Sequence, residues 1–442
     1  MNSFGRAFAE IVTLVALGLY ACMGCAASVP ATVRAESARA ADAFVDSIGV
    51  NVHLHDGGDS VYNARYAAFA PLLEATGIRH LRDGLIDTTY QAYYDHLNEL
   101  GRAGIHATLI TSVGQSVALL RAYPTRVPYA IEAYEGPNEY DARHDPNWVT
   151  HLRAFTQLLY HAVKDDSQTA KYPVLGPSLI SAQSAAALGD LSAWMDFGNI
   201  HDYFAGFNPG TPGWGSAAFG TRYGSIAYNL ALEARVSGKK PVIATETGYC
   251  TADAKNDVPP VVQGRYVPRL FFEQFNAGIV KTFEYEFADD GGNGGFSSCG
   301  LIGFDLKPKP AYYALSALIH LLSDPGQAFT PAPLTYVIAG ASADVDHTLL
   351  QKRDGTYYLA LWRELPSWDV NAGVPITVAP EEVSLMVPAG VREASLFALN
   401  DDGTMLARPL EFKENLARVT VTDRVSIVAL KPLTPPVKAS GP

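Results

Sequence analysis

From about Asp46 to about His320, short apolar runs alternate with stretches whose apolar positions recur at helical spacing. The runs predict strands at Ser47–His53, Ile78–Asp83, His106–Ser112, Ala130–Glu135, Pro173–Ser178, Asn199–Tyr203, Pro241–Thr245 and Val280–Phe287. Between the first two, Tyr62–Thr76 has helical periodicity, and Gly77 follows where a helix should stop. Tyr90–Ala103 before Gly104 and Pro268–Ala277 before Gly278 repeat the pattern. Strand and helix in alternation build a parallel sheet, because each parallel neighbour needs a crossover that a helix supplies. Eight such units predict a closed (β/α)8 barrel rather than a doubly wound sheet. No Gly-x-Gly-x-x-Gly fingerprint opens the first unit, as a dinucleotide fold would require.

Beyond Ser323 the period changes. Pro325, Pro331 and Pro333 mark a linker, and alternating residues predict half-buried strands at Leu349–Lys352, Tyr357–Trp362, Ile376–Val378, Val383–Val387, Ser395–Leu399 and Val419–Val428. Asp354-Gly355 separates the first two as a hairpin turn. The fold class is therefore α/β: a TIM barrel over 42–324, then an all-β sandwich domain over 325–434. The Pro-rich tail 435–442 reads as disordered, and no internal repeat is present.

Composition narrows the function. With 48% hydrophobic and 18% charged residues, the 442-residue chain can bury the core of a barrel and a second module. A net charge of -12 without any basic block excludes nucleic acid and anionic membrane surfaces as partners. Neutral ligands fit better, and 23 Tyr, 19 Phe and 5 Trp offer flat apolar faces, although most of these will pack the core. No cofactor is expected, and the chain is expected to act as a monomer.

Residues 1–27 read as a leader. Arg6 precedes an apolar run, Ile11 to Ala21, and small residues follow through Ala26, Ala27 and Ser28. Export to the cell envelope, the periplasm or the medium is the expectation. Leu19-Tyr20-Ala21-Cys22 resembles a lipobox, so lipid attachment at Cys22 and plain cleavage after Ala27 both stay open. Cys250 and Cys299 then form an even pair in an exported chain, which reads as one disulfide.

Two loops at strand C-termini are long. Ala205–Tyr223 carries Phe207, Trp214, Phe219 and Tyr223, and Asp289–Gly300 begins Asp289-Asp290-Gly291-Gly292-Asn293-Gly294. Barrel ligand sites are made at this end, so these loops could wall a sugar cleft. For Trp214, contact with substrate and a surface excursion both stay open.

Two carboxylates reach the same lip. The fourth strand ends Tyr134-Glu135-Gly136-Pro137-Asn138-Glu139, and Gly136-Pro137 breaks the ladder because proline has no N–H to donate. The seventh ends Ile243-Ala244-Thr245-Glu246-Thr247-Gly248-Tyr249, a buried run delivering one carboxylate. Cleaving a glycosidic bond needs two carboxyls, about 5–5.5 Å apart when the second acts as nucleophile.

Asn138-Glu139 on strand four and Thr245-Glu246 on strand seven resemble the clan A glycoside hydrolases. These include cellulases, xylanases, β-mannanases and β-xylosidases, all retaining. The resemblance implies that Glu139 is the acid/base, Glu246 the nucleophile, and Asn138 a contact to the sugar 2-hydroxyl. Arg82 matches an arginine beside the nucleophile, and His201-Asp202-Tyr203 matches a His-x-Tyr pair at strand six. The run Tyr134 to Glu139 is closest to families five and thirty-nine, among which a C-terminal sandwich also recurs. One position departs: where the clan often ends strand eight with a Trp, this chain reads Phe283-Glu284-Tyr285-Glu286-Phe287, so Tyr285 or Phe287 would supply the sugar platform. A nucleophile must be ionised, which Arg82 and Tyr203 would favour; an acid must hold its proton, which the nearby Glu246 charge would favour.

Other residues carry quieter readings. His53 and His55 share one face at the end of strand one, yet no third metal ligand follows at a recognisable spacing, so sugar contact or structural hydrogen bonding is expected. Glu284 and Glu286 are expected to hydrogen-bond within the barrel. Asp289 and Asp290 with Asn293 lack the spacing of a calcium loop and read as a turn. No Gly-x-Ser-x-Gly elbow or His-Glu-x-x-His helix is present. The expectation is an exported retaining glycosidase cutting a β-linked poly- or oligosaccharide internally. A sugar-binding barrel without turnover, or a transglycosylase using the same pair on envelope polysaccharide, are the alternatives.

Overall fold

The computed structural model describes residues 34–432, apart from 216–219, 253–255, 293–294 and 388–390. The leader with Cys22, the tail 435–442, Phe219 and Asn293 lie outside the described residues.

All eight expected parallel strands are present: β1 Ile48–Asn51, β2 His80–Gly84, β3 His106–Ile110, β4 Ile131–Glu135, β5 Val174–Leu175, β6 Gly198–Tyr203, β7 Val242–Gly248 and β8 Thr282–Glu284. Their order, β5-β4-β3-β2-β1-β8-β7-β6, runs right round a barrel. A parallel bridge between Leu175 and Phe197, with Gly176 N donating to Phe197 O at 2.9 Å, joins β5 to the start of β6 and closes the ring. The crossovers are α1 Tyr66–Thr76, α2 Gln91–Arg102, α3 Val117–Arg126, α4 Trp148–Lys164, α5 Ala182–Leu188, α6 Ile226–Ser237, α7 Pro260–Asn276 and α8 Pro310–Leu322. Gly77 caps α1 in the left-handed conformation, as its position predicts. Helix α7 begins eight residues before the expected Pro268, because Pro260 takes the first position and Pro268 lies inside the helix. The carbonyl that Pro268 leaves unpaired belongs to Gly264, four residues back.

Alternation along β2 turns Leu81 and Asp83 to one face and His80 and Arg82 to the other. Polar side chains therefore enter the interior, together with an apolar cluster of Ala133, Leu175, Ile243 and Phe283. At the base, His80 Nδ1 meets Glu132 at 2.7 Å. Above it, Arg82 meets Glu135 of β4, and Glu135 in turn accepts from Asn199 and Thr245.

The C-terminal strands are β9 Pro333–Ala339, β10 Val345–Gln351, β11 Tyr357–Arg363, β12 Trp368–Asp369, β13 Val374–Pro375, β14 Glu381–Met386, β15 Val391–Leu399, β16 Met405–Pro409, β17 Leu416–Val421 and β18 Ser426–Pro432. They form antiparallel sheets, as expected, but four particulars differ from the pattern reading. The stretch read as linker contains β9, with Pro333 at its first position, where a missing N–H is tolerated. Ile376–Val378 is not a strand; the neighbouring β13 pairs with β12 instead. Val419–Val428 is two strands in different sheets, β17 and β18. The N-terminal residues belong here too: Arg34–Ser37 pairs with β9, and Arg39–Ala40 runs parallel to β10.

A buried polar joint fixes this sandwich to the barrel. Arg269 of α7 donates to Glu364 at 2.8 Å, and Trp362 Nε1 donates to Glu364 at 2.9 Å while its ring stacks on Phe272. Removing either partner of such a buried pair costs on the order of 3–5 kcal/mol, because the other charge is left uncompensated. Glu364 also accepts from Asn208 Nδ2 and Gly210 N, both in the loop after β6.

Candidate active site

Arg82 organises the site. Its side chain is almost fully buried, and all five guanidinium N–H groups donate: two to Glu135 at 2.7 Å each, one to Asn51 at 2.9 Å, one to Asn138 at 2.6 Å and one to Glu246 at 2.6 Å. Glu135 neutralises the guanidinium from below, and Glu246 takes the remaining charge from the cavity side. The contact to Asn138 Oδ1 fixes that amide with its nitrogen as the group offered to a ligand.

Glu246 reaches the interior through a bulge. Against β6, Ile200 pairs with Ala244 but His201 pairs with Glu246; against β8, Thr282 pairs with Ala244 but Glu284 pairs with Thr247. One extra residue in β7 thus lies between Ala244 and Thr247. It lets Thr245 bond Glu135 and Asn199 while its neighbour Glu246 bonds Arg82, although strict alternation would send the two apart. Tyr203 OH donates to the other oxygen of Glu246 at 2.9 Å. Burial alone would raise the Glu246 pKa. The electrostatic influence of His201 and Arg82, with the hydrogen bonds from Arg82 and Tyr203, outweighs it and holds the carboxyl below its ordinary value.

Glu139 stands opposite. Gly136 packs so closely on the next strand's exit that a Cβ would lie 2.6 Å from the Pro177 backbone nitrogen. The chain then turns through Pro137 and Asn138, and Glu139 takes a left-handed conformation at φ 41°, uncommon for a residue with a side chain. His201 Nδ1 lies 2.7 Å from Glu139 Oε1 and 3.5 Å from Glu246 Oε2, bridging the two carboxylates. One oxygen of each, with the histidine nitrogen, lies within 4.8 Å of the others. Glu139 is the more exposed, at 32% against 12%. These three groups are also a candidate metal set, but both oxygens of Glu246 already accept from Arg82 and Tyr203, and a guanidinium at 2.6 Å would repel a cation.

A cavity of about 610 Å³ opens over Glu246, lined by Arg82, Asn138, Tyr203, Tyr285, His53 and His55 among others. Tyr285 is therefore the platform candidate at strand eight; Phe287 is buried in the core against Phe69. Phe296, which the pattern did not single out, joins the wall and meets Tyr203 and Tyr285 edge-on. A smaller cavity of about 230 Å³ lies beyond His201 and Tyr203, and Trp214 lines it, stacked on Phe207. Glu139 and Tyr203 border both cavities.

The remaining sequence candidates are placed as follows. Cys250 and Cys299 form a disulfide joining the loops after β7 and β8. Glu286 accepts from Tyr62 OH at 2.7 Å, and burial raises its pKa. Burial also pushes Glu284 well above the usual carboxylate range. Asp202, between His201 and Tyr203, faces away from the cavity, accepts from Gln274, and is pushed up to about 7 by burial. Asp289 accepts from Lys309 Nζ at 2.7 Å and Asp290 from Gly292 N at 2.7 Å, so these two are engaged within the protein.

Two partners of Arg82 were missed, Glu135 and Asn51. Glu135 had a readable signal, a carboxylate ending a strand run just before Gly136-Pro137. Asn51 had none beyond its place at a strand end.

The architecture, a (β/α)8 barrel followed by antiparallel C-terminal sheets, is shared with several solved glycoside hydrolases. Among solved structures, a family 39 glycoside hydrolase from the gut symbiont Bacteroides cellulosilyticus WH2 is similar, with a TM-score of 0.57 at 15% identity over 89% of this chain and 81% of that one. A GH30 xylanase C catalytic domain from Talaromyces cellulolyticus has a TM-score of 0.53 at 11% identity, covering 91% of this chain and 98% of that one. AbfB, a family 51 α-L-arabinofuranosidase from Bifidobacterium longum, has a TM-score of 0.54 at 12% identity, covering 91% and 99%. At these identities the likeness is one of fold. No family model matches the chain, and no curated protein matches it in sequence.

Proposed function

We propose that this protein is a retaining glycoside hydrolase that cleaves β-linked poly- or oligosaccharides by double displacement. The observation that carries the reading is the facing pair: carboxylate oxygens of Glu139 and Glu246 lie within 4.8 Å, which suits direct attack and is closer than the roughly 6.5–9.5 Å of sites that activate a water on the opposite face. Glu246, kept ionised by its donors, attacks the anomeric carbon as the bond to the leaving oxygen breaks. Glu139 gives that oxygen its proton. Water then attacks the same carbon, loses a proton to Glu139, and frees Glu246. The Asn138 amide would meet the sugar 2-hydroxyl, and Tyr285 and Phe296 would face the ring.

The second cavity, with Trp214, supports a leaving group that is itself a sugar, and room on both sides of the glutamate pair is what internal cleavage would need. The same cavity would hold an acceptor, so products analysed with added oligosaccharide separate hydrolysis from transfer. The disulfide and the leader pattern support work outside the cytoplasm. Fluorinated mechanism-based aryl glycosides of several sugars test the chemistry. Peptide mass spectrometry should find the adduct on Glu246. An adduct on Glu139 would reverse the roles, and none across a panel that binds would favour the reading without turnover.

A further inference from the structure

At the rim of the main cavity, apart from the glutamate pair, His53, His55 and Asp56 converge. One ligating atom from each lies within 4.8 Å of the others. His53 Nδ1 is 3.9 Å from one oxygen of Asp56, and His55 Nε2 is 3.4 Å from the other. The opposite nitrogen of each ring faces a buried carboxylate. His53 Nε2 lies 3.2 Å from Glu286, which Tyr62 holds at 2.7 Å. His55 Nδ1 bonds Asp83, and Asp83 is clamped by the backbone N–H groups of Leu54 and Gly84 at 3.2 and 2.7 Å. The His55 ring has its place because residue 84 is glycine, where a Cβ would stand 2.7 Å from Cγ.

Two imidazoles, each backed by a carboxylate and each turning its other nitrogen toward a third ligand, resemble the arrangement by which metal sites fix tautomer and direction. We infer that His53, His55 and Asp56 form a site for a divalent transition-metal ion of the zinc class. Imidazole donors select zinc-like ions over calcium or magnesium. A tetrahedral ion with bonds of about 2.0–2.1 Å holds its ligand atoms roughly 3.3 Å apart. Asp56, which is 54% exposed, has room to move toward the rings as the site closes. Three protein ligands leave a fourth position open to water or, since both histidines line the cavity, to a substrate oxygen. Asp56 adjoins His55 in sequence, and the turn after β1 brings its carboxylate within 3.9 Å of His53 and 3.4 Å of His55.

The test is calorimetric titration of the full chain, stripped with chelator, with zinc chloride, alongside Asp56→Ala and His55→Ala. Wild type should take up a single equivalent, and both variants should bind at least about tenfold more weakly. Cobalt should give wild type the visible spectrum of a tetrahedral site, lost in Asp56→Ala. If circular dichroism shows His55→Ala misfolded, the exposed Asp56→Ala decides. No zinc binding by wild type, or equal binding by Asp56→Ala, would overturn the site. Metal uptake is read directly, so the result is independent of the glycosidase reading.

Discussion

In the proposed reaction Glu246 is the residue on which the chemistry turns, and its neighbours explain its state. It is buried, yet a guanidinium and a phenol donate to its two oxygens. Tyr203 is itself buried beside the negative charge, which pushes its phenol pKa well up and keeps it a donor. The proposed reaction needs Glu246 ionised, so the acid limb of kcat/KM should lie below the ordinary carboxylate range. Tyr203→Phe removes one stabiliser of the anion, so the Glu246 pKa rises and the acid limb moves toward neutral pH. Loss of one hydrogen bond to a charged group, about 1.5–3 kcal/mol, corresponds to a shift of about one to two pH units. A pH profile of kcat/KM for both proteins checks this, and an unmoved limb would mean that Glu246 does not govern it.

At the scale of elements, the site depends on irregularities as much as on strands. The bulge in β7 turns Glu246 inward, and the break at Gly136-Pro137 carries Glu139 beyond the ladder. The strands themselves were legible, because each is a short apolar run flanked by helical periodicity. Convergence of Glu139, Glu246, Arg82, His201 and Tyr203 followed from their places at strand ends. The bulge was not legible, since an extra residue leaves no trace in hydrophobic alternation. Phe296 was equally hidden, because a loop carries no period. The loops after β7 and β8 are tied by the disulfide between residues 49 positions apart. Cys250→Ser with Cys299→Ser should destabilise by roughly 4 kcal/mol through the freed unfolded chain. Chemical denaturation of the variant against wild type measures it, and an unchanged midpoint would show that the bridge contributes nothing.

Across the whole molecule, the sandwich and barrel are interlocked. Residues 34–40 add a strand to each sandwich sheet before the chain enters β1, which a reading by local period could not foresee. Glu364 reaches from the sandwich to the loop after β6, whose Trp214 lines the smaller cavity. The second module thus braces one wall of the site. All of this matters to function only if the facing glutamates divide the work as assigned, and azide rescue tests that division most directly. Glu246→Ala and Glu139→Ala are assayed on an aryl β-glycoside with and without azide, and the product anomer is read by NMR. Glu246→Ala should be inactive alone and yield the α-azide, because azide replaces the missing nucleophile in a single displacement. Glu139→Ala should lose on the order of 10²–10⁴ in rate on substrates needing protonation and yield the β-azide, because azide attacks the intermediate without a base. Swapped anomers would reverse the two roles, and wild-type rates in both variants would contradict the account.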